Sequence, residues 1–199
     1  MEMPSFGSPI YYHCGTNYLN VNTMEKTDLI KDQKLLMAVL MEATHNDYYS
    51  AKDAPKGEIT AGANATNFSL RNTGSGIPLE QMVRALYPLE GEEGTAMSLY
   101  YPIEALVGAD VLEVHSFRRG EHATLRYEKG KRVALHIEPD TVTPEGVLIR
   151  VEWGGGLAPD KILRKEDLLT CLQGIEGSWK PALFFNGERI VWAKLDINK

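Results

Sequence analysis

Apolar positions recur along this chain with two periods, and each period predicts its own kind of element. Across residues 28–51, Leu35, Leu36, Val39, Leu40 and Ala43 fall at helical spacing and make one apolar stripe. A long helix is expected there, N-capped by Thr27 or Asp28 and ended by Pro55-Lys56-Gly57. The period then changes to two. Ile59, Ala61 and Ala63 alternate with polar residues, as do Phe68 and Leu70, which predicts paired strands at 58–63 and 66–71 around Asn64. Residues 78–86 predict a short helix with Pro78 in its first turn and Ile77, Met82, Val83 and Leu86 turned inward. The stretch 87–95 has no periodicity and reads as a loop, and 96–107 is apolar enough for a buried helix.

Four strands are expected next, at 110–117, 122–128, 132–137 and 147–153. Arg119-Gly120, Lys129-Gly130 and a loop at 139–146 separate them. Gly154-Gly155-Gly156 reads as a hinge, 160–172 as a helix, and 182–195 as a hairpin turning at Asn186-Gly187. The first 22 residues are broken by Pro4, Gly7, Pro9 and Gly15. They form either an irregular loop packed on its own domain or an arm in which Ile10, Tyr11 and Tyr12 make a short strand. The predicted class is α+β: a two-layer sandwich with helices on one face of a mixed, mostly antiparallel sheet, the other face meeting solvent or a partner. The expected division is one domain over 1–153, including the arm at 1–22, and a helix-plus-hairpin appendage over 154–199.

Composition narrows the function classes. The 21 basic and 27 acidic residues leave a net charge of −6, which argues against a general nucleic-acid or anionic-membrane surface. Two cysteines far apart, Cys14 and Cys171, argue against a disulfide framework and for a reduced, cytoplasmic setting. No stretch approaches the roughly eighteen apolar residues of a membrane span, and Met1-Glu2-Met3-Pro4 opens no signal peptide.

The candidate chemistry lies in two places. Glu42 and Asn46 are four apart, so on a helix they project from one face a turn above one another. Thirty residues after Glu42, Asn72-x-Gly74-x-Gly76-Ile77-Pro78 closes a strand with a glycine turn. Together, over roughly residues 25–153, these motifs resemble the Bergerat-fold (GHKL) ATPases: gyrase B, MutL, heat-shock chaperones and sensor histidine kinases. The resemblance implies binding of ATP or ADP with Mg²⁺. In such a site Glu42 is the general base that activates water, and Asn46 gives its side-chain oxygen to Mg²⁺. It also implies that Asn72, Gly74, Gly76 and Ile77 meet the purine, and that Gly94 and Thr95 keep part of the phosphate cradle. A protein partner or a homodimer belongs to the same expectation.

Three departures stand beside these matches. The family has Asp where this chain has Asn72. An Asn carbonyl can accept the same bond from an adenine amine, but it is neutral and its amide brings two donors in need of partners. Val147, after Gly146, stands where the family has a threonine, and has no hydroxyl to give. The lid stretch 87–102 carries Glu90, Glu92 and Glu93 and no Lys or Arg, so its charges repel a triphosphate. After Trp153 only 46 residues remain, too few for the second domain that supplies a phosphate-binding lysine in gyrase B-like and MutL-like proteins. Two readings of different class are therefore open. One is an ATP-binding domain with weak or partner-dependent hydrolysis. The other is a catalytically inactive interaction or regulatory module that kept the fold and lost the nucleotide.

Overall fold

Arg119-Gly120, Lys129-Gly130 and Asn186-Gly187 each place two consecutive residues at positive φ, between 47° and 81°. That backbone matches the right-handed twist of strands joined by a two-residue loop, so each dipeptide folds its flanking strands into a tight hairpin. The computed structural model describes residues 11–14, 17–20, 32–33, 36, 56–61, 66–79, 82, 106–168 and 182–190. Among the described residues the strands are β1 Tyr11–Cys14, β2 Asn17–Asn20, β3 Lys56–Ala61, β4 Asn67–Asn72, β5 Val111–Arg118, β6 Glu121–Glu128, β7 Lys131–Pro139, β8 Gly146–Glu152, β9 Ala182–Phe185 and β10 Glu188–Arg189. β1 and β2 pair as a two-stranded sheet. The other eight form one sheet in the order β10-β9-β3-β4-β8-β5-β6-β7.

The sheet is mixed and mostly antiparallel, as the alternating pattern predicts; β3 with β9 is its parallel pair. The turn residue Asn186 reinforces that junction, donating its N–H to the Ile59 carbonyl at 2.9 Å and accepting the Ala61 N–H on its side-chain oxygen at 3.0 Å. The C-terminal hairpin thus joins the sheet through β3.

Alternation decides which face is buried. Ile59, Phe68, Leu70, Leu112, Val114, Leu125, Val147, Ile149 and Leu183 are all buried in one core cluster. Leu36, Met82, Leu106 and Leu168, each in helical conformation, belong to the same cluster. Gln33, fully buried, bridges β4 and the segment before residue 165: its amide nitrogen donates to the Asn67 carbonyl at 3.3 Å and its oxygen accepts the Leu163 N–H at 3.0 Å. On the opposite face β5 and β6 carry Glu113, His115, His122, Thr124 and Arg126, a polar surface as expected.

Two elements differ from their sequence pattern. The helix expected over 160–172 starts late. Pro159 sets a single 3-10 turn at Pro159–Lys161, which ends at Ile162 in extended backbone, and helix resumes at 165–168. The Asp167 carboxylate caps that restart by accepting the Arg164 N–H at 3.1 Å. β7 runs longer than expected and is exposed along its length. Leu135 and Ile137 sit opposite Leu125 and Ala123 on the core side, yet remain 41% and 43% exposed at the sheet's edge. Gly154, in the triple-glycine stretch, is held in a turn by the Asp110 carboxylate, which accepts its N–H at 2.7 Å.

Candidate functional site

The last residue of β4 carries the site. Phe68, Leu70 and Asn72 alternate onto the core face, so the strand's period delivers a polar amide into an apolar layer, 1% exposed. Asn72 is opposite Val147 of β8 in the register. The Val147 N–H donates to the Asn72 side-chain oxygen at 3.0 Å. A backbone N–H can only donate, so this bond also fixes which end of the amide faces β8. The oxygen faces Val147, and the nitrogen Nδ2 is left buried with no hydrogen-bond partner. The carbonyl expected to receive an adenine amine is thus already engaged by the backbone. The cause is local: antiparallel register brings an N–H to one lone pair of that oxygen.

Gly146 makes this contact possible. Its φ is +144°, and a Cβ there would overlap the Asn72 carbonyl and come within 3.0 Å of the Gly74 nitrogen. Only glycine lets the start of β8 lie this close to the turn leaving β4. Val147 itself is buried, 1% exposed, and presents two methyl groups and no hydroxyl beside Asn72. The two departures noted in the sequence therefore face each other across one strand pair.

After Asn72 the chain turns through Gly74 and Gly76, both buried. Gly76 sits at φ +69°, and a Cβ on it would lie 2.6 Å from the Phe117 carbonyl oxygen and 3.0 Å from both Ser116 Oγ and Arg118 Cβ. The glycine lets the turn press against β5, a reason for its presence besides any ligand. Ile77 is then held twice by one side chain: its N–H donates to Ser116 Oγ, and that hydroxyl donates to its carbonyl, both at 2.8 Å. Arg118 donates to the Ser75 carbonyl at 2.8 Å. Ser116 and Arg118 did not emerge from the sequence. The available signal was a small polar residue at a core position, after Leu112 and Val114 in the same alternation.

Beside this clasp is a cavity of about 320 Å³, lined by Ile77, Leu79, Ser116, Arg118, Arg119 and Glu121 among others. Asn72 is not part of its lining. Of the residues singled out in the sequence, the structure brings Asn72, Gly74, Gly76 and Ile77 into one buried turn. Glu42, Asn46, Gly94 and Thr95, together with the acidic lid, lie outside the described residues.

The opposite sheet face holds a second polar group. His115 Nδ1 lies 3.0 Å from His122 Nε2, and Thr124 Oγ1 is 3.1 Å from both. Glu113 pairs with Arg126 and reaches His115 Nε2 at 3.4 Å. Burial is the largest influence on His115 and pushes its imidazole down, against the pull of Glu113. For Glu113 burial raises the carboxyl, but hydrogen bonds from Arg126 and His115 outweigh it and hold the group below its ordinary value. Among the described residues, no three or more His, Cys, Asp and Glu side chains converge as a metal site. Nor is any helix among them long and apolar enough to cross a membrane.

No protein-family model and no curated protein matches the sequence. Solved structures do match the fold. The ATPase region of Saccharomyces cerevisiae topoisomerase II superposes with a TM-score of 0.53 at 14% identity, covering 92% of this chain and 55% of that one. The N-terminal domain of a DNA repair protein matches at a TM-score of 0.44 and 16% identity, covering 64% of this chain and 37% of that one. This chain thus spans about half of the topoisomerase ATPase region. At such identity the likeness is one of fold alone.

Proposed function

We propose that this chain is a purine-nucleotide-binding domain of the Bergerat (GHKL) type, a two-layer sandwich whose helices lie on the Ile59 to Val114 face of the sheet. ATP and ADP with Mg²⁺ are the ligands its motifs imply, and its hydrolysis is weak or depends on a partner. The observation that carries the reading is the Asn72 amide, buried at the end of β4 with Nδ2 unpartnered, directly before the glycine turn. A buried amide nitrogen without an acceptor costs about 1–3 kcal/mol, and the edge of a bound base supplies the acceptor it lacks. The Nδ2 donor at this position thus suits the acceptor edge of a base. The topoisomerase II ATPase region gives fold-level support to the same reading.

Within the reading each residue has a task. Asn72 meets the base edge, and Ile77, clasped by Ser116, backs it. Glu42 takes the proton of an attacking water and Asn46 offers its oxygen to Mg²⁺. The Mg²⁺ neutralises phosphate charge when bound. Gly94 and Thr95 hold phosphate oxygens. Glu90, Glu92 and Glu93 weaken triphosphate binding by repulsion.

A second reading draws on the Asn72–Val147 pair. An engaged amide oxygen and a buried valine are what a module that has given up the nucleotide would keep. Calorimetric titration of the folded chain with the Mg²⁺ complexes of ATP and GTP and with ADP and GDP separates the two. Heat of binding from any of them at low millimolar concentration supports the nucleotide reading. No heat and no thermal shift from all four would leave only the interaction module.

A further inference from the structure

We infer that the base held at Asn72 is a 6-oxopurine, the guanine or hypoxanthine class, selected because the residue presents a donor where an aminopurine needs an acceptor. The inference rests on the nucleotide-binding reading and names the base within it.

Three observations carry it. First, the amide has a fixed orientation. The Val147 N–H at 3.0 Å demands an acceptor, so the oxygen faces β8 and Nδ2 is turned away from it. Second, that orientation is enforced from behind. β8 approaches so closely that a Cβ on Gly146 would come within 2.9 Å of the Asn72 carbonyl carbon, and the opposed register keeps Val147 across from Asn72. Third, Nδ2 is buried and without a partner, on a residue 1% exposed. Arg71 Nη1 and Trp153 Nε1 are likewise buried without a partner, but Asn72 is the one of the three that directly precedes the glycine turn; Ser116, by contrast, makes two bonds with one hydroxyl.

Complementarity then decides the base. Position 6 of guanine or hypoxanthine is a carbonyl, and O6 accepts from Nδ2. Position 6 of adenine is an amine, so the same approach sets donor against donor. An adenine amine would instead have to share the oxygen already bonded to Val147. Sites built around a hydrogen bond reject an analogue that leaves their polar group unpaired, which is how one exocyclic atom becomes a preference. Val147 adds no hydroxyl that would serve as an acceptor for an amine.

The test is competition calorimetry on the wild-type chain with GDP, IDP and ADP, all with Mg²⁺. GDP and IDP are expected to bind roughly tenfold or more tightly than ADP. IDP matters because it keeps O6 and lacks the 2-amino group. Asn72→Asp still accepts the Val147 N–H and replaces Nδ2 with a second acceptor, so it is expected to move the preference toward ADP. ADP binding as tightly as GDP and IDP in the wild-type chain overturns the inference and leaves the nucleotide reading standing. GDP alone binding tightly, with IDP no better than ADP, overturns the O6 contact. No binding of any of the three to the folded chain overturns the inference, and no heat from ATP or GTP as well overturns the nucleotide reading with it. The wild-type series does not depend on the variant folding.

Discussion

Ser116 and Ile77 are joined by two hydrogen bonds through one hydroxyl, which receives the Ile77 N–H and donates to the Ile77 carbonyl at 2.8 Å each. Both residues are buried, so neither backbone group has water to fall back on if the hydroxyl is lost. Ser116→Ala is therefore expected to cost about 1–3 kcal/mol in urea unfolding. It should also loosen nucleotide binding, because Ile77 follows the turn that carries Asn72. A loss under about 0.5 kcal/mol, the range of an ordinary surface change, would mean the clasp is not needed.

Gly76 and Gly187 both lie at left-handed φ, +69° and +79°, but only Gly76 has a neighbour in the way of a side chain. Alanine at either position meets the left-handed penalty of about 1–2 kcal/mol. At Gly76 the overlap with the Phe117 carbonyl adds to it, on the order of a further 1–3 kcal/mol. Gly76→Ala should thus be clearly the more damaging of the two in thermal or urea unfolding. Equal losses would show that the turn can move off β5.

Acid should weaken this protein in two stages. His115 has its folded pKa lowered from 6.5, so as pH falls the unfolded chain takes up that proton first. Its contribution is present above about pH 6.5 and is lost as pH falls through the lowered folded value. Glu113, lowered from 4.5, behaves in the same sense in its own, more acidic window. The groups around His115 are Glu113, His122 and Arg150, with Thr124 bonded to it. Melting temperature followed from about pH 7 to about pH 5 should fall more steeply for the wild-type chain than for His115→Gln. Parallel curves would remove His115 from the account.

If phosphate release is seen, Glu42→Ala should abolish it and leave binding nearly intact, because a base acts on the water and not on the nucleotide. Asn46→Ala should weaken binding and turnover together, since its oxygen serves the metal in both states. Phosphate release and calorimetry on the two variants read this directly. Unchanged turnover in Glu42→Ala would dismiss the proposed base.

Most of the sheet could be read from residue types, because its order depends on short-range rules. Two-residue turns such as Lys129-Gly130 announce themselves, and alternation as in Phe68, Leu70 and Asn72 assigns the faces. What stayed hidden depends on distance or direction. Nothing local in Ala182–Phe185 says that it lies parallel to Lys56–Ala61. Nothing in Asn72 as a letter says which end of its amide meets Val147, since that follows from the register of two strands 75 positions apart. The late start of the helix at 165 reflects a contest between Pro159, which sets one tight turn, and Asp167, which caps the next.

The parallel join of β3 to β9 bears on how the molecule reaches this state. Lys56 meets Ala182 and Ile59 meets Phe185, so one flank of the sheet waits on a closure spanning most of the sequence. Such distant pairings form slowly. In the interval β3 offers a bare row of amides and carbonyls to any other chain in solution. Recovery from denaturant should accordingly improve as the protein is diluted.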